Sequence, residues 1–197
     1  AWLLLEYVSG KNRAYYYAHT DEKTDPETEK IYSELCRKRA ARIPLQHLTH
    51  SAWFMGHEFY VDERVLIPRQ DTETLAEEAL RILKGKEEPE ILDMCTGSGC
   101  LLLSILAEYP KARGVGADIS EDALSVAKEN AGRLQTGERA VFVKSDLFSG
   151  EYFRQNGGKK IQEYDMLISN PPYIPTAEIH KLMDEVCLLY TSPSPRD

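Results

Sequence analysis

The chain has 197 residues, of which 42% are hydrophobic and 28% are charged, as expected for a globular protein with one full domain and a smaller one. Its formal net charge of −8 argues against a strongly basic nucleic-acid-binding surface. The sequence lacks the roughly 20 consecutive apolar residues of a membrane span, and its four cysteines are too few for a disulfide framework. These features predict a cytoplasmic protein without a membrane segment.

Residues 1–50 are predicted to form a small all-helical domain. Asp25 is a good N-cap, and Pro26 suits the first position of a helix because no intrahelical hydrogen bond is lost there. We expect Pro44 to end this helix. The three consecutive tyrosines at positions 15–17 are expected to pack into the core of the domain.

Residues 51–67 are predicted to link this domain to the rest of the chain through a β-hairpin. Two short aromatic-rich runs, residues 52–55 and 57–62, lie on either side of Gly56. Short runs of this composition around a glycine are typical of two antiparallel strands joined by a turn.

Beyond the linker, the pattern changes to helices that alternate with strands. A helix is expected from Asp71 to near Gly85. Strand candidates follow at residues 90–94, 114–118, 140–143 and 164–169, with helices at residues 101–108 and 121–134 between the first three. Strands separated by helices are typical of a doubly wound, Rossmann-like parallel sheet. We assign residues 68–186 to this α/β domain and expect its sheet to be incomplete, because only four strands can be recognised.

A glycine-rich stretch, Asp-Met-Cys-Thr-Gly-Ser-Gly, ends at Gly99 directly after the first of these strands. Glycines at this place let the backbone approach a ligand closely, but Leu102 replaces the third glycine of a dinucleotide motif. Asp118, at the end of the next strand, is placed to accept hydrogen bonds from both hydroxyls of a ribose. A glycine loop together with this carboxylate favours a nucleoside cofactor without a pyrophosphate, and S-adenosylmethionine is the main candidate. Two alternatives remain open: the loop could bind another ligand of doubly wound domains, and Asp118 could cap the next helix. Ser120 could fill the capping role instead.

The second motif, Asn170-Pro171-Pro172-Tyr173, follows the fourth strand. The two prolines predict a rigid, extended backbone that leaves the Pro171 carbonyl free as an acceptor. The Asn170 carboxamide offers a second acceptor, so the two together can bind both hydrogens of a planar –NH₂ group. The Tyr173 ring can stack on a planar substrate. This arrangement fits methyl transfer to an amide nitrogen or to an exocyclic amino nitrogen.

Three segments, residues 65–73, 92–99 and 168–174, resemble the HemK/PrmC family, the glutamine methyltransferases that modify peptide chain release factors. The first of them reads Val-Leu-Ile-Pro-Arg-Gln-Asp-Thr-Glu, and the family commonly has proline in place of its Gln70. The helical domain and the hairpin resemble the substrate-recruiting part of the family. The resemblance extends from about residue 2 to about residue 186.

The resemblance implies a Rossmann-like methyltransferase that transfers a methyl group from S-adenosylmethionine to the side-chain amide nitrogen of the glutamine in the Gly-Gly-Gln motif of class 1 release factors. The implied catalytic residues are Asn170, Pro171 and Tyr173, and the implied substrate-binding residues are Asn170, Pro171, Pro172 and Tyr173. The implied cofactor-binding residues are Cys95, Thr96, Gly97, Ser98, Gly99, Asp118, Leu147 and Asn170, with Leu147 lying against the adenine. We expect no metal, no direct contact with nucleic acid, and a monomer when the enzyme is intact.

Two alternatives stay open at this point. A nucleic-acid amino-methyltransferase could use the same Asn-Pro-Pro-Tyr motif, although the net charge of −8 counts against phosphate binding. The chain could also be an inactive fragment that only binds the cofactor.

The two ends of the chain are expected to be incomplete. The resemblance stops after Val186, and residues 187–197 have a Pro- and Ser-rich end that we interpret as a non-native tail. A sheet truncated in this way would expose a strand edge and an apolar face. We therefore expect the 197-residue chain to be poorly soluble, weak in cofactor binding and nearly inactive.

Overall fold

The computed structural model describes residues 1–154 and 163–173. The N-terminal helices are α1 (Trp2–Ser9), α2 (Arg13–Ala18), α3 (Pro26–Ala40) and α4 (Leu45–Thr49), followed by the hairpin strands β1 (Ala52–Phe54) and β2 (His57–Phe59). The remaining elements are α5 (Gln70–Leu83), β3 (Glu90–Met94), α6 (Cys100–Glu108), β4 (Arg113–Asp118), α7 (Glu121–Arg133), β5 (Ala140–Lys144), α8 (Glu151–Arg154) and β6 (Met166–Ser169). No helix within these ranges is long and apolar enough to cross a membrane. The predicted tail, residues 187–197, lies outside the described residues.

Helix α3 begins as its sequence predicts but ends earlier. The Asp25 side chain accepts a hydrogen bond from the backbone N–H of Thr28 at 2.9 Å, which confirms it as the N-cap. The helix ends at Ala40, and Arg42 adopts a positive φ of 71° that turns the chain before Pro44 is reached. Pro44 precedes α4, so the prediction that it terminates α3 was wrong.

None of the three tyrosines of α2 is buried, and the prediction that they pack into a core was wrong: Tyr15 and Tyr16 are partly buried and Tyr17 is exposed. Helix α2 has only six residues and buries none of them, since so short a helix cannot present a continuous apolar stripe. Tyr17 is 64% exposed. Tyr16 and Tyr17 instead contact the Trp2 ring, with ring centroids 6.1 and 5.7 Å apart, and the Arg13 guanidinium lies over Trp2 at 5.0 Å.

The predicted hairpin is confirmed, with Ala52 opposite Phe59 and Phe54 opposite His57 in an antiparallel pair. Met55 and Gly56 form the turn, both with positive φ, as is typical of a type I′ hairpin turn. The second strand is shorter than the predicted run of residues 57–62. It ends at Phe59 because the backbone of the next residue pairs with a side chain of α7, as described below.

The predicted α/β fold is confirmed in the second half of the chain. Four parallel strands form one sheet in the order β5-β4-β3-β6. Helices α5, α6 and α7 cover one face, where the core includes Ala76, Ala79, Leu83, Ile91, Leu101, Leu102, Leu103, Ile105, Leu106, Ala131 and Ile168. On the opposite face, Leu92, Met94, Val115 and Ala117 are buried beneath Tyr152, Phe153 and Tyr164. This second face is covered only over the central strands, since Val141 and Leu167 on the outer strands, which are level with Val115 and Leu92, are 51% and 46% exposed.

Candidate active site

The parallel sheet brings the predicted site residues to one edge. Met94 at the end of β3 is level with Ala117 of β4 and with Ser169 of β6, and Asp118 is level with Lys144 of β5. The glycine loop, the loop after β5 and the Asn-Pro-Pro-Tyr motif all leave the sheet beyond these positions. Ligands of open parallel sheets bind at the carboxyl ends of the strands, so the motif residues lie together at the edge where a ligand is expected.

The two glycines of the loop at residues 95–99 have different roles. Both have a positive φ, 55° at Gly97 and 80° at Gly99. A Cβ at Gly97 would meet no atom within 4 Å, so its backbone borders open space in which a ligand can approach. A Cβ at Gly99 would lie 2.9 Å from Leu103 Cδ1 and 3.3 Å from the Ala127 Cβ. A side chain at Gly99 would therefore crowd the packing between α6 and α7, and the contact of Gly99 with a cofactor stays a prediction.

Leu102 explains why this loop is not a dinucleotide motif. Its side chain is fully buried against the sheet, at the position where that motif places a glycine. The complementary small residue lies on the strand, since a Cβ at Gly114 would be 2.5 Å from Leu102 Cδ1. Close packing of helix and strand is thus achieved with the glycine on β4, and Leu102 adds to the core.

Asp118 anchors the glycine loop. Its Oδ2 accepts a hydrogen bond from the Gly97 N–H at 2.9 Å, and its Oδ1 accepts one from the Ser120 N–H at 3.0 Å. The capping role falls to Ser120, whose Oγ accepts from the Ala123 N–H at the start of α7. Each carboxylate oxygen of Asp118 has a further lone pair, so the group can still accept hydrogen bonds from a diol.

Asn170 lies beside the first turn of α5. Its Nδ2 donates to the Thr72 Oγ1 at 3.4 Å, a long hydrogen bond between residues 98 positions apart. The strand end before it is held by Ser169, whose hydroxyl donates to the Met94 carbonyl at 2.6 Å. With its nitrogen directed at Thr72, Asn170 keeps its Oδ1 as an acceptor. Thr72 belongs to the Ile-Pro-Arg segment, which the sequence analysis used only as a family marker.

The rest of the Asn-Pro-Pro-Tyr motif is accessible. Pro171 and Pro172 are partly buried, whereas the Tyr173 side chain is 55% exposed. An exposed ring directly after the prolines is available to contact a planar substrate group.

The chain matches two known protein families over most of its length. Residues 72–186 match the methyltransferase small domain, and residues 1–49 match the PrmC N-terminal domain. The chain belongs to the methyltransferase small domain family. The resemblance predicted from the three sequence segments is thereby confirmed.

Several individual proteins are similar to this chain. The release factor glutamine methyltransferase of Chlorobaculum tepidum is 39% identical over 191 residues, which cover 94% of this chain and 64% of that protein. The protein of the same name from Deinococcus radiodurans is 39% identical over 178 residues, which cover 90% of this chain and 60% of that protein. A solved RNA methyltransferase from Salinibacter ruber aligns at a TM-score of 0.42 with 20% identity, over 55% of this chain and 63% of that chain. The chain thus spans less than two thirds of the length of these curated relatives.

Two apolar side chains are exposed at the same edge of this methyltransferase sheet. Leu147, in the loop after β5, has a positive φ of 48° and is 45% exposed. Its loop is tied to β4, because the Ser145 N–H donates to the Asp118 carbonyl at 2.9 Å. Ile119, directly after Asp118, is 56% exposed and was missed by the sequence analysis. The signal that could have found it is a large apolar residue in the loop that directly follows Asp118.

Asp93 is a second residue that the sequence analysis did not single out. It lies at the end of β3, fully buried, and its Oδ2 accepts a hydrogen bond from the Thr96 hydroxyl at 2.6 Å. Its Oδ1 is buried without a hydrogen-bond partner among the described residues. Burial raises the pKa of Asp93 from 3.8 to about 7, and the Thr96 hydrogen bond opposes this only in part.

The raised pKa of Asp93 predicts a dependence of stability on pH. Between pH 3.8 and about 7, the folded protein keeps a proton on Asp93 that the unfolded chain has lost, so stability falls as the pH rises. In Asp93→Asn this contribution is absent. As the pH rises across that range, the free energy of urea unfolding should therefore fall in the wild type relative to the variant. A constant difference between the two free energies would contradict the raised pKa of Asp93.

Cys95 and Cys100, at the two ends of the glycine loop, are partly buried free thiols. Burial raises the pKa of Cys95, and it raises the pKa of Cys100 to about 12, so neither is a thiolate at neutral pH. Within the described parts of the chain, no three or more His, Cys, Asp or Glu side chains are grouped so that they could hold a metal ion.

Proposed function

We propose that this protein methylates the side-chain amide nitrogen of the glutamine in the Gly-Gly-Gln motif of class 1 release factors, with S-adenosylmethionine as the methyl donor. One observation carries the proposal. Asn170, at the carboxyl end of β6, has its amide nitrogen engaged by Thr72 and its amide oxygen available beside the glycine loop. The curated relatives named as release factor glutamine methyltransferases support the choice of substrate.

The residues present fit S-adenosylmethionine. The backbone at Gly97 borders open space, which allows a ligand to approach the loop. Asp118 has acceptor capacity for ribose hydroxyls, and the exposed apolar side chains of Ile119 and Leu147 are suited to the faces of an adenine. We assign the cofactor to these residues together with Cys95, Thr96, Ser98, Gly99 and Asn170. When bound, it supplies an electrophilic methyl group on a sulfonium, which is a good leaving group.

The contribution of the protein to this reaction is positioning. An amide nitrogen is a poor nucleophile, because its lone pair is delocalised into the carbonyl. Hydrogen bonds from the two glutamine N–H groups to the Asn170 Oδ1 and the Pro171 carbonyl orient that nitrogen and stabilise the positive charge that develops on it. Pro172 keeps this backbone extended, and Tyr173 stacks on the substrate amide. No strong general base is required, since the methylated amide loses its proton readily.

Residues 1–50 are proposed to recruit the release factor, residues 51–67 to link this domain, and residues 68–186 to carry out catalysis. The match of residues 1–49 to the PrmC N-terminal domain supports this division. Contacts away from the reacting amide are needed because a Gly-Gly-Gln loop alone offers little surface for binding. The surface cluster of Trp2, Tyr17 and Arg13 has the residue types that dominate protein interfaces.

Tyr17→Ala tests this recruitment. The side chain is exposed and its loss should leave the fold intact. We expect kcat/KM for an intact release factor to fall about fivefold or more, while kcat/KM for a short Gly-Gly-Gln peptide stays unchanged. Equal values for wild type and variant on both substrates would exclude the cluster from the interface.

Transfer of a labelled methyl group tests the proposed function itself. The intact enzyme is incubated with the labelled cofactor and, in separate reactions, with a release factor, RNA and DNA. Label on the glutamine of the release factor is the expected result. Label on nucleic acid would establish the alternative amino-methyltransferase, and cofactor binding without transfer to any substrate would indicate an inactive binding protein. We further propose that the intact enzyme is a cytoplasmic monomer without direct contact to nucleic acid, in agreement with the net charge of −8.

A further inference from the structure

Asn130, on α7, is the centre of a hydrogen-bond network that the proposed reaction does not use. Its side chain is fully buried. Its Oδ1 accepts from the Tyr60 N–H at 2.7 Å, while its Nδ2 donates to the Tyr60 carbonyl at 3.0 Å and to the Ser98 carbonyl at 2.9 Å. The side chain thus replaces a neighbouring strand for Tyr60 and at the same time binds the glycine loop.

Only one orientation of the Asn130 amide satisfies all three partners. An N–H group needs an acceptor and two carbonyls need donors, and a carboxamide offers one oxygen and two N–H groups. If the amide were flipped, its oxygen would face the Tyr60 and Ser98 carbonyls and its nitrogen would face the Tyr60 N–H. The three groups therefore specify asparagine at this position.

The two segments joined by Asn130 belong to different functional parts of the chain. Ser98 lies between Gly97 and Gly99 in the loop assigned to the cofactor, and it is itself buried. Tyr60 follows the hairpin in the linker to the helical domain, and its ring is stacked on His50 with centroids 5.3 Å apart. The Arg133 guanidinium, one turn after Asn130 on α7, covers the same ring at 4.9 Å.

We propose that Asn130 is a positioning residue that couples the linker to the glycine loop, so that the two segments hold or lose their conformations together. The coupling itself stands on the three hydrogen bonds. The consequence for binding rests on the proposed function: the glycine loop is ordered for the cofactor only when the linker is docked on α7.

Asn130→Asp tests the coupling without a change in size. At neutral pH the introduced carboxylate keeps an acceptor for the Tyr60 N–H but places a negative oxygen against two carbonyls. The control is Leu106→Ala, which creates a cavity in the core beside α6. Each variant is measured the same number of degrees below its own melting temperature. In cofactor-free protein, we expect the amide hydrogens of Tyr60 and Gly97 to exchange at least about tenfold faster in Asn130→Asp than in the control. If the exchange rates of both amides are the same in Asn130→Asp as in the control, the proposal is overturned.

Titration calorimetry with S-adenosylhomocysteine provides the second readout. We expect its affinity for Asn130→Asp to rise as the pH is lowered from about 8 to 5, because the protonated carboxyl group can again donate to one carbonyl, whereas the control keeps the pH profile of the wild type. An identical profile in the variant and the control would contradict the proposal. If S-adenosylhomocysteine fails to bind the wild type, the proposed function is wrong, and the exchange experiment still decides the coupling. If Asn130→Asp does not fold, Asn130→Ser takes its place in the exchange comparison, with the same expected and opposing results.

Discussion

Replacing Asn170 by alanine is expected to lower the single-turnover rate of methyl transfer about 10²–10³-fold in the intact enzyme, with a much smaller effect on cofactor affinity. The substitution removes one of the two acceptors that orient the glutamine amide and leaves the rigid prolines in place. Rapid-quench measurement of the transfer step, with calorimetry for the cofactor, separates the two effects. An unchanged rate would refute the proposed arrangement of Asn170 and Pro171 around the substrate nitrogen.

Thr72 offers a matched pair of control variants for this experiment. Thr72→Val keeps the shape of the side chain but removes the hydroxyl that accepts from Asn170 Nδ2, whereas Thr72→Ser retains it. Loss of the hydroxyl frees the Asn170 amide to rotate, so Thr72→Val should lower kcat without weakening cofactor binding, and Thr72→Ser should restore most of the rate. If both variants have the same kcat, Thr72 does not orient Asn170.

Asp118→Ala is expected to weaken S-adenosylmethionine binding at least tenfold, since a charge-assisted hydrogen bond to a ribose hydroxyl contributes about 1.5–3 kcal/mol and about 1.4 kcal/mol corresponds to a factor of ten. The structure adds a second reason. The same carboxylate accepts the Gly97 N–H, so its removal also breaks one of the hydrogen bonds between the glycine loop and β4, while that from the Thr96 N–H to the Ala117 carbonyl remains. Calorimetry on the folded variant measures the effect, and wild-type affinity would exclude Asp118 from the cofactor site.

Ser120→Ala is the control for Asp118→Ala. It removes the side-chain cap of α7, which costs about 1 kcal/mol of stability, but leaves the Asp118 carboxylate intact. We expect a lower melting temperature and an affinity for the cofactor close to that of the wild type. A comparable loss of affinity in both variants would mean that binding responds to destabilisation of the helix and not to the carboxylate.

Most elements of the α/β domain and the order of its motifs could be predicted from the sequence. The strand Glu90–Met94 was predicted with its observed bounds, and the other predicted strands and helices of this domain differ from the structure by at most a few residues, whereas the short helix α8 (Glu151–Arg154) was not predicted. The reason is that hydrophobic periodicity, N-caps such as Asp25 and turns such as Gly56 act within a few positions along the chain. The site could likewise be located because parallel strands bring their carboxyl ends to one edge whatever packs around them.

Only the tertiary structure decided what the individual site residues contact. The hydrogen bond from Asn170 to Thr72 and those from Asn130 to Tyr60 join residues 98 and 70 positions apart. Gly99 has the same positive φ that its motif suggests, and only the structure shows that a Cβ there would crowd Ala127 of α7 and the end of the Leu103 side chain. Likewise, the pKa of Asp93 is raised by its burial beneath elements from other parts of the chain. Burial and the partners of polar groups depend on which elements pack together, and no local pattern in the sequence encodes that.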